Sequence, residues 1–405
     1  MELRPILSAM LRSKTGVLLI ALQIALTLAI LTNALSVIDD RLREAKRPSG
    51  LDEANTFHLA VIDREAKLGD GVVDNDLGHL RALPGVEAAA WVSQVPLMQS
   101  GSNNGYQRQP DPSGDYVIAT NYMVDAEAFK AWPLRLTEGR SFGADAMIEV
   151  DRTLPGQPAP RVAVITQGLA RALWPDASAV VGKSFYEGSA SVPIEVIGVV
   201  ETLVSPWGRG WNDGSNAVLF PVVERQRYNI YAVRTAPGQL DRVMKEAEAT
   251  LLAQVPGRMV SYNEAMAETR ADRYGGEHTL VNGLLVVVAL LLVMTASGIV
   301  GLASLWVNQR RKQIGVRRAL GARRVDILRL FVTENVMITG IGIVVGCGFA
   351  LGLNALMMDQ LELPKLPLGY LGLGSAVLLL LGITAVLGPA LRAASVPPAV
   401  ATRSA

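Results

Sequence analysis

Four sets of residues in this sequence have types or spacings that could do chemistry. Gly182-Lys183-Ser184 ends like a phosphate-cradling loop, G-x-x-x-x-G-K-[ST], whose amides and lysine would hold a nucleotide. Ala177 stands where that loop requires its first glycine. His58, His79 and His278 could bind metal or move protons. None lies at ligand spacing from another histidine or from the single cysteine, Cys347. Asp39-Asp40 could share a proton, but after a long apolar run it reads as a solvated helix start. No G-x-S-x-G nucleophile elbow is present. These residues predict no enzyme, no cofactor and no metal.

The fourth set is Arg310–Glu334, RRKQIGVRRALGARRVDILRLFVTE. It holds eight bases, and before Glu334 its only acid is Asp326. Gly315, Ala319, Gly321 and Ala322 are interleaved with arginines. Leu320, Ile327, Leu330 and Phe331 recur at helical spacing. Such a stretch suits binding rather than catalysis. Small residues permit close backbone approach, a leucine fills an apolar pocket, and arginines meet carboxylates. It could instead be a bare topology signal, or bind anionic lipid or nucleic acid. A topology signal needs bases in any order. It needs neither a small-residue core nor an apolar face at Leu320, Ile327 and Phe331. The pattern therefore exceeds what a bare topology signal requires, and it suits docking on a soluble protein as well as binding of anionic lipid or nucleic acid.

The elements around this stretch are membrane spans. The chain has 405 residues, half of them hydrophobic, and a mean hydropathy of +0.28. No charge occurs from Thr15 to Ile38 or from His278 to Gln309. A bilayer core needs roughly 20 apolar helical residues. The spacing predicts an amphipathic interfacial helix over 1–14 and spans over 15–38, 278–309, 335–358 and 366–391. A cleaved signal peptide competes for the first run, but Ala34-Leu35-Ser36 is a poor cleavage site. The third span carries two G-xxx-G pairs, Gly342/Gly346 and Gly348/Gly352, which favour close helix approach in lipid.

Charge is sorted along the chain. Asp39–Glu277 holds 32 acids and 24 bases, a net of −8; the remainder holds 5 and 14, a net of +9. Residues 1–14, 310–334 and 392–405 together hold 13 bases and 3 acids. The positive-inside rule therefore places them, with both termini, in the cytoplasm and residues 39–277 outside. The outer region reads as an α+β domain, with helices at Asn75–Leu83, Thr166–Trp174 and Gln239–Gln254. Strands are expected at Thr56–Ile62, Tyr116–Thr120, Arg161–Ile165, Pro193–Val200, Ala217–Val222 and Asn229–Arg234. Gln99–Gly114 reads as a loop and Ser261–Gly275 as helical. One cysteine permits no disulfide within the chain and leaves the compartment open.

IGVRRALGARRVDILRLFVTE resembles the cytoplasmic segment of MacB/FtsX-like permeases of ABC transporters. Gly139-Arg140-Ser141-Phe142, Val162-Ala163-Val164-Ile165, Val181-Gly182-Lys183 and Val196-Ile197-Gly198-Val199-Val200 resemble that family's outer domain in order and spacing. Pro389-Ala390-Leu391-Arg392-Ala393-Ala394 and Pro397-Pro398-Ala399 resemble its C-terminal pattern.

The resemblance implies a membrane protein of four transmembrane helices, with a large α+β extracytoplasmic domain between helices 1 and 2. It implies a permease subunit of the bacterial inner membrane, working as a dimer with a second copy or a related permease. ATP and Mg would be bound by a separate cytoplasmic ABC ATPase. That ATPase would engage Gly315, Arg317, Arg318, Ala319, Leu320, Gly321, Ala322 and Arg323. Other implied partners are membrane lipid and a periplasmic membrane-fusion adaptor, with no nucleic acid. Hydrolysis below would reshape the outer domain and drive efflux or extraction of a substrate. The alternative is a regulatory member that transmits ATP state to a cell-wall hydrolase or a sensor.

Overall fold

The structure is a computed structural model, described over residues 14–64, 71–111, 114–151, 154–188, 190–208, 214–361 and 365–395. The interfacial helix expected over 1–14 lies outside the described residues, except that Lys14 begins a helix. Residues 396–405 of the expected tail also lie outside. The chain divides into two units, Glu44–Gly276 and the remainder.

The second of these is helical. Helix α1 spans Lys14–Ala45, since the polar run after Ile38 continues the helix. Among the described residues four helices are long and apolar enough to cross a membrane, beginning at Thr15, Met266, Arg324 and Leu368. Their shared core includes Ile24, Leu28, Ile299, Ile338 and Leu378. Two polar contacts pin it. The Thr27 and Thr295 hydroxyls lie 2.9 Å apart, and Asn33 Nδ2 donates to the Ala350 carbonyl at 3.1 Å. Where apolar packing gains little over lipid, such bonds and close backbone approach hold helices together. Gly342 and Gly346 provide that approach. A Cβ at Gly346 would lie 2.9 Å from Ala25 Cα. A Cβ at Gly348 or Gly352 would meet nothing within 4 Å, so the two glycine pairs are not equivalent.

Unit Glu44–Gly276 is α+β. Its elements are β1 (Thr56–Asp63), α2 (Val72–Ala82), β2 (Val86–Val92), β3 (Asn103–Gln107), β4 (Val117–Val124), α3 (Ala128–Ala131), β5 (Leu136–Gly139), β6 (Ile148–Val150), β7 (Val162–Thr166), α4 (Gln167–Leu173), β8 (Ser184–Glu187), β9 (Ile194–Val200), β10 (Ala217–Glu224), β11 (Tyr228–Thr235), α5 (Leu240–Gln254) and β12 (Arg258–Ala265). Thr166 caps α4 as its Oγ1 accepts the Leu169 N–H.

The strands run β12-β1-β11-β2-β4-β3-β8-β9-β7-β10-β6, with β5 on β9. A further parallel pairing of β10 with β4 closes β4, β3, β8, β9, β7 and β10 into a ring. One core, with Tyr106, Phe185, Val218 and Phe220, belongs to this ring and takes in Leu169 and Leu173 of α4. Another joins Phe57, Leu59, Trp91 and Tyr231 of the open strands to α2 and α5. Arg258 fastens this part. Its guanidinium forks onto Asp63 at 2.6 and 3.0 Å and reaches Asp76 at 2.8 Å, while Tyr231 Oη donates to Asp76 at 2.6 Å.

Two sequence expectations need correction. The stretch Gln99–Gly114, read as a loop, contains β3. Its residues Asn-Asn-Gly-Tyr-Gln lack apolar alternation, and pairing with β4 and β8 makes the strand. Ser261–Gly275, read as helical, is strand to Ala265 and helix from Met266. Pairing with β1 over Arg258–Ala265 decides the outcome.

Candidate functional site

The long helix α6 (Met266–Gln309) is followed by α7 (Arg311–Ala319), a tight reversal, and α8 (Arg324–Leu361). The sequence encodes the reversal. Gly321 has φ +100°, which a residue with a Cβ rarely adopts. The Gly321 N–H donates to Arg318 O at 3.2 Å and the Ala322 N–H to Arg317 O at 3.1 Å. This is the paired ladder of a Schellman motif, which satisfies the last carbonyls of α7. Just beyond the turn, Asp326 Oδ2 accepts the Arg323 N–H at 2.9 Å and caps the start of α8. Leu320-Gly321 is thus the tip of a helical hairpin.

The hairpin has a fastened inner face. Ile314, Ile327 and Phe331 are buried with Ala303, Val307, Val386, Ala390 and Ala393. These last three belong to α9 (Leu368–Ala394). Arg310 Nη1 lies 2.6 Å from one Glu334 oxygen and 2.9 Å from the other. Its guanidinium sits 5.9 Å from the Trp306 ring. Arg318 Nη1 donates to the Ala394 carbonyl at 2.9 Å, at the C-terminal end of α9.

The outer face differs. Leu320 is 82% exposed, and Val316 and Val325 are about half exposed. Arg311, Lys312, Arg317, Arg323, Arg324 and Arg329 are exposed with them. An isolated exposed leucine is ordinary. One held at the tip of a capped turn, with two valines and six bases, is a built surface.

The residues singled out from sequence do not share one face. Leu320, Gly321, Ala319, Arg317 and Arg323 are exposed, Ala322 and Arg318 half-buried, and Gly315 buried. The apolar face expected from Leu320, Ile327 and Phe331 is split, because the reversal at Gly321 breaks the helical phase between them. Val316 and Val325 were missed. Val316 stands four residues before Leu320, a spacing that could have found it. The Arg310–Glu334 pair was missed too, because its partners are 24 residues apart.

The other chemical candidates have structural roles. The Gly182 and Lys183 amides donate to Val196 O and Val180 O, and Lys183 Nζ sits 5.8 Å from the Trp174 ring. These amides therefore cradle no phosphate. Buried His58 accepts the Trp132 Nε1–H at 3.0 Å, and burial lowers its pKa to about 3. His79 Nδ1 lies 2.8 Å from Asn75 O within α2.

Two family models match this sequence. Residues 17–250 match the MacB-like periplasmic core domain, and residues 285–398 match the FtsX-like permease C-terminal domain. The chain belongs to the MacB/FtsX-like ABC permease family. Similar proteins include a macrolide export ATP-binding/permease protein MacB of Chromobacterium violaceum, 27% identical over 75% of this chain and 45% of that protein. A pyoverdine export ATP-binding/permease protein PvdT of Pseudomonas fluorescens is 26% identical over 91% of this chain and 54% of that protein. The MacB/FtsX-like chain thus spans about half the length of these relatives. Among solved structures, the extracellular domain of a transporter YknZ covers 51% of this chain at 17% identity, with a TM-score of 0.33. The hairpin of this permease falls within the FtsX-like match, and the α+β unit within the MacB-like match up to residue 250.

Proposed function

We propose that this permease docks a separate cytoplasmic ABC ATPase on the hairpin tip at Leu320 and passes its ATP-driven motion to the α+β unit. The observation that carries this reading is the 82% exposure of Leu320 on a hairpin whose base is buried and ion-paired. Leu320 enters an apolar groove of the ATPase, and the exposed arginines meet its carboxylates. ATP and Mg belong to that partner. Two permease copies face two ATPases, with residues 310–334 and both termini cytoplasmic and the α+β unit periplasmic. Closure below moves α1 and α6, the helices that run to and from the α+β unit. The outer domains change shape and drive efflux or extraction of a substrate, with a periplasmic membrane-fusion adaptor as a further partner.

Burying one leucine is worth roughly 1.5–3 kcal/mol, and a carboxylate in its place costs more. Leu320→Asp is therefore expected to lower ATPase co-purified per permease at least tenfold. Lys365→Asp, an exposed control, is expected to leave it unchanged. Normal ATPase recovery and normal coupled turnover in Leu320→Asp would refute docking at this tip.

A further inference from the structure

One side chain ties the first turns of α6 to the end of α1. Arg270 Nε and Nη2 fork onto the two Glu53 oxygens, at 2.6 Å each. The same guanidinium donates from Nη1 to the Ala45 carbonyl and from Nη2 to the Arg47 carbonyl, both at 2.9 Å. Ala45 is the last residue of α1, and the carbonyls of a helix's last turn have no donor within it. Pro48 follows closely and has no N–H to offer. A cation from another helix thus caps this end of α1, where the macrodipole favours positive charge. Glu53 is held in turn by the Ser49 hydroxyl, which donates to its Oε1. The side chains of Arg270 and Glu53 are 20% and 22% exposed, so water screens this pair less than an open surface pair.

Met266, Arg270, Arg273 and Tyr274 stand at i, i+4, i+7 and i+8 of α6, on one face. Met266 and Tyr274 are buried with Leu97, Leu203 and Val204, and Ala45 packs against the same core. Both guanidiniums lie over the Tyr274 ring, at 5.6 and 5.3 Å. Arg273 Nη2 and Nε donate to the Trp207 carbonyl at 2.6 and 3.2 Å. The segment beneath this face is strained, because Leu97 and Gln99 have φ of 65° and 59°. Their N–H groups donate to the Ser205 and Pro206 carbonyls at 3.2 and 2.8 Å, beside Trp207. Residues with a Cβ keep such a backbone only where the surroundings over-determine it. Helix face, turn and strained segment therefore form one seat.

Apolar contact has no direction, so two helices joined by it alone can slide. A guanidinium removes that freedom, since its donors leave a rigid plane at fixed angles. We propose that Arg270 is a positioning residue that locks the end of α1, the Arg47–Glu53 connection and the first turns of α6 into one body with the α+β unit. Displacement of α6 then reaches the sheet without slack between the two helices. The lock's part in transmission rests on the reading that α1 and α6 carry motion from the hairpin.

The test is pulsed electron paramagnetic resonance on the full chain in phosphatidylcholine nanodiscs. Cys347→Ser removes the native thiol, and nitroxides are placed at Lys46→Cys and Asp272→Cys, two exposed positions. One narrow distance is expected. Arg270→Ala is expected to at least double its width. Arg270→Lys keeps the charge and is expected to do the same, because one ammonium cannot hold a carboxylate and two carbonyls in a fork's geometry. Where Arg270→Ala fails to fold, Arg270→Lys decides. In the complex with co-purified ATPase, ATP is expected to leave the wild-type distance unchanged and to shift it in Arg270→Lys. Three results would each overturn the proposal: a wild-type width in Arg270→Lys, a wild-type distance that ATP shifts, or an ATP response in Arg270→Lys no larger than in wild type. The width measurement contains no ATPase. Failure of an ATPase to dock at Leu320 would therefore refute that docking and leave the lock standing.

Discussion

Arg310 and Glu334 close the base of the hairpin, with Arg310 Nη1 at 2.6 and 2.9 Å from the two carboxylate oxygens. The Glu334 side chain is 3% exposed and that of Arg310 is 21% exposed. Removing one member of such a buried pair strands the other's charge, at a cost of about 3–5 kcal/mol. Arg310→Ala is therefore expected to lower the thermal unfolding temperature of the detergent-solubilised chain. Arg310→Ala combined with Glu334→Gln is expected to lose less than the single change, because no buried charge is left alone. A double variant as unstable as the sum of both single changes would show that the pair does not act together.

The two glycine pairs of α8 make separable predictions. At Gly346 a methyl group would press on backbone, 2.9 Å from Ala25 Cα and 3.0 Å from Ala25 O. Gly346→Ala is expected to cost about 1–3 kcal/mol, the usual penalty of overpacking. Gly348→Ala meets open space and gains helix propensity. Thermal unfolding of both variants decides the matter. Equal losses would mean that α8 does not seat on α1 through Gly346.

Asp125 makes the α+β unit sensitive to pH. It accepts the Trp91 N–H at 3.1 Å and the Glu127 N–H at 2.9 Å, and Arg81 lies 3.3 Å away. Burial nevertheless prevails and raises its pKa from 3.8 to about 6. Between about pH 4 and pH 6 the folded chain thus keeps a proton that the unfolded chain has released. Asp125 favours folding at the acid end of that window, and its contribution declines as pH rises through it. Asp125→Asn keeps an acceptor for one amide and cannot ionise. Its unfolding midpoint, followed from pH 4 to 7, is expected to rise relative to wild type as pH increases. Parallel curves for the two proteins would remove Asp125 as the source.

The six expected strands and three expected helices of the α+β unit were legible where apolar residues alternate or recur on one face. The added strands were not. Asn103–Gln107 carries few apolar residues, and its hydrogen bonds come from β4 and β8, the latter some 80 residues away. Hydrophobic periodicity reports local exposure, and such a strand has little to report.

The sequence by itself determined the class of this protein. Long charge-free runs require helices that cross a membrane, because only an internally bonded backbone survives there. The sorting of charge distinguishes the segment Asp39–Glu277 from the rest, and the residues from Ile314 to Glu334 carry the family likeness. The tertiary structure decided which of those residues are free to meet a partner. Leu320 and Phe331 look alike in a periodic pattern, yet one is 82% exposed and the other 2%. The cause is the backbone reversal at Gly321, which ends one helix and starts another in a different phase. Closure of the strand ring and the seating of Gly346 on Ala25 have the same origin. Each joins residues far apart in the chain, and local propensity carries no term for such encounters.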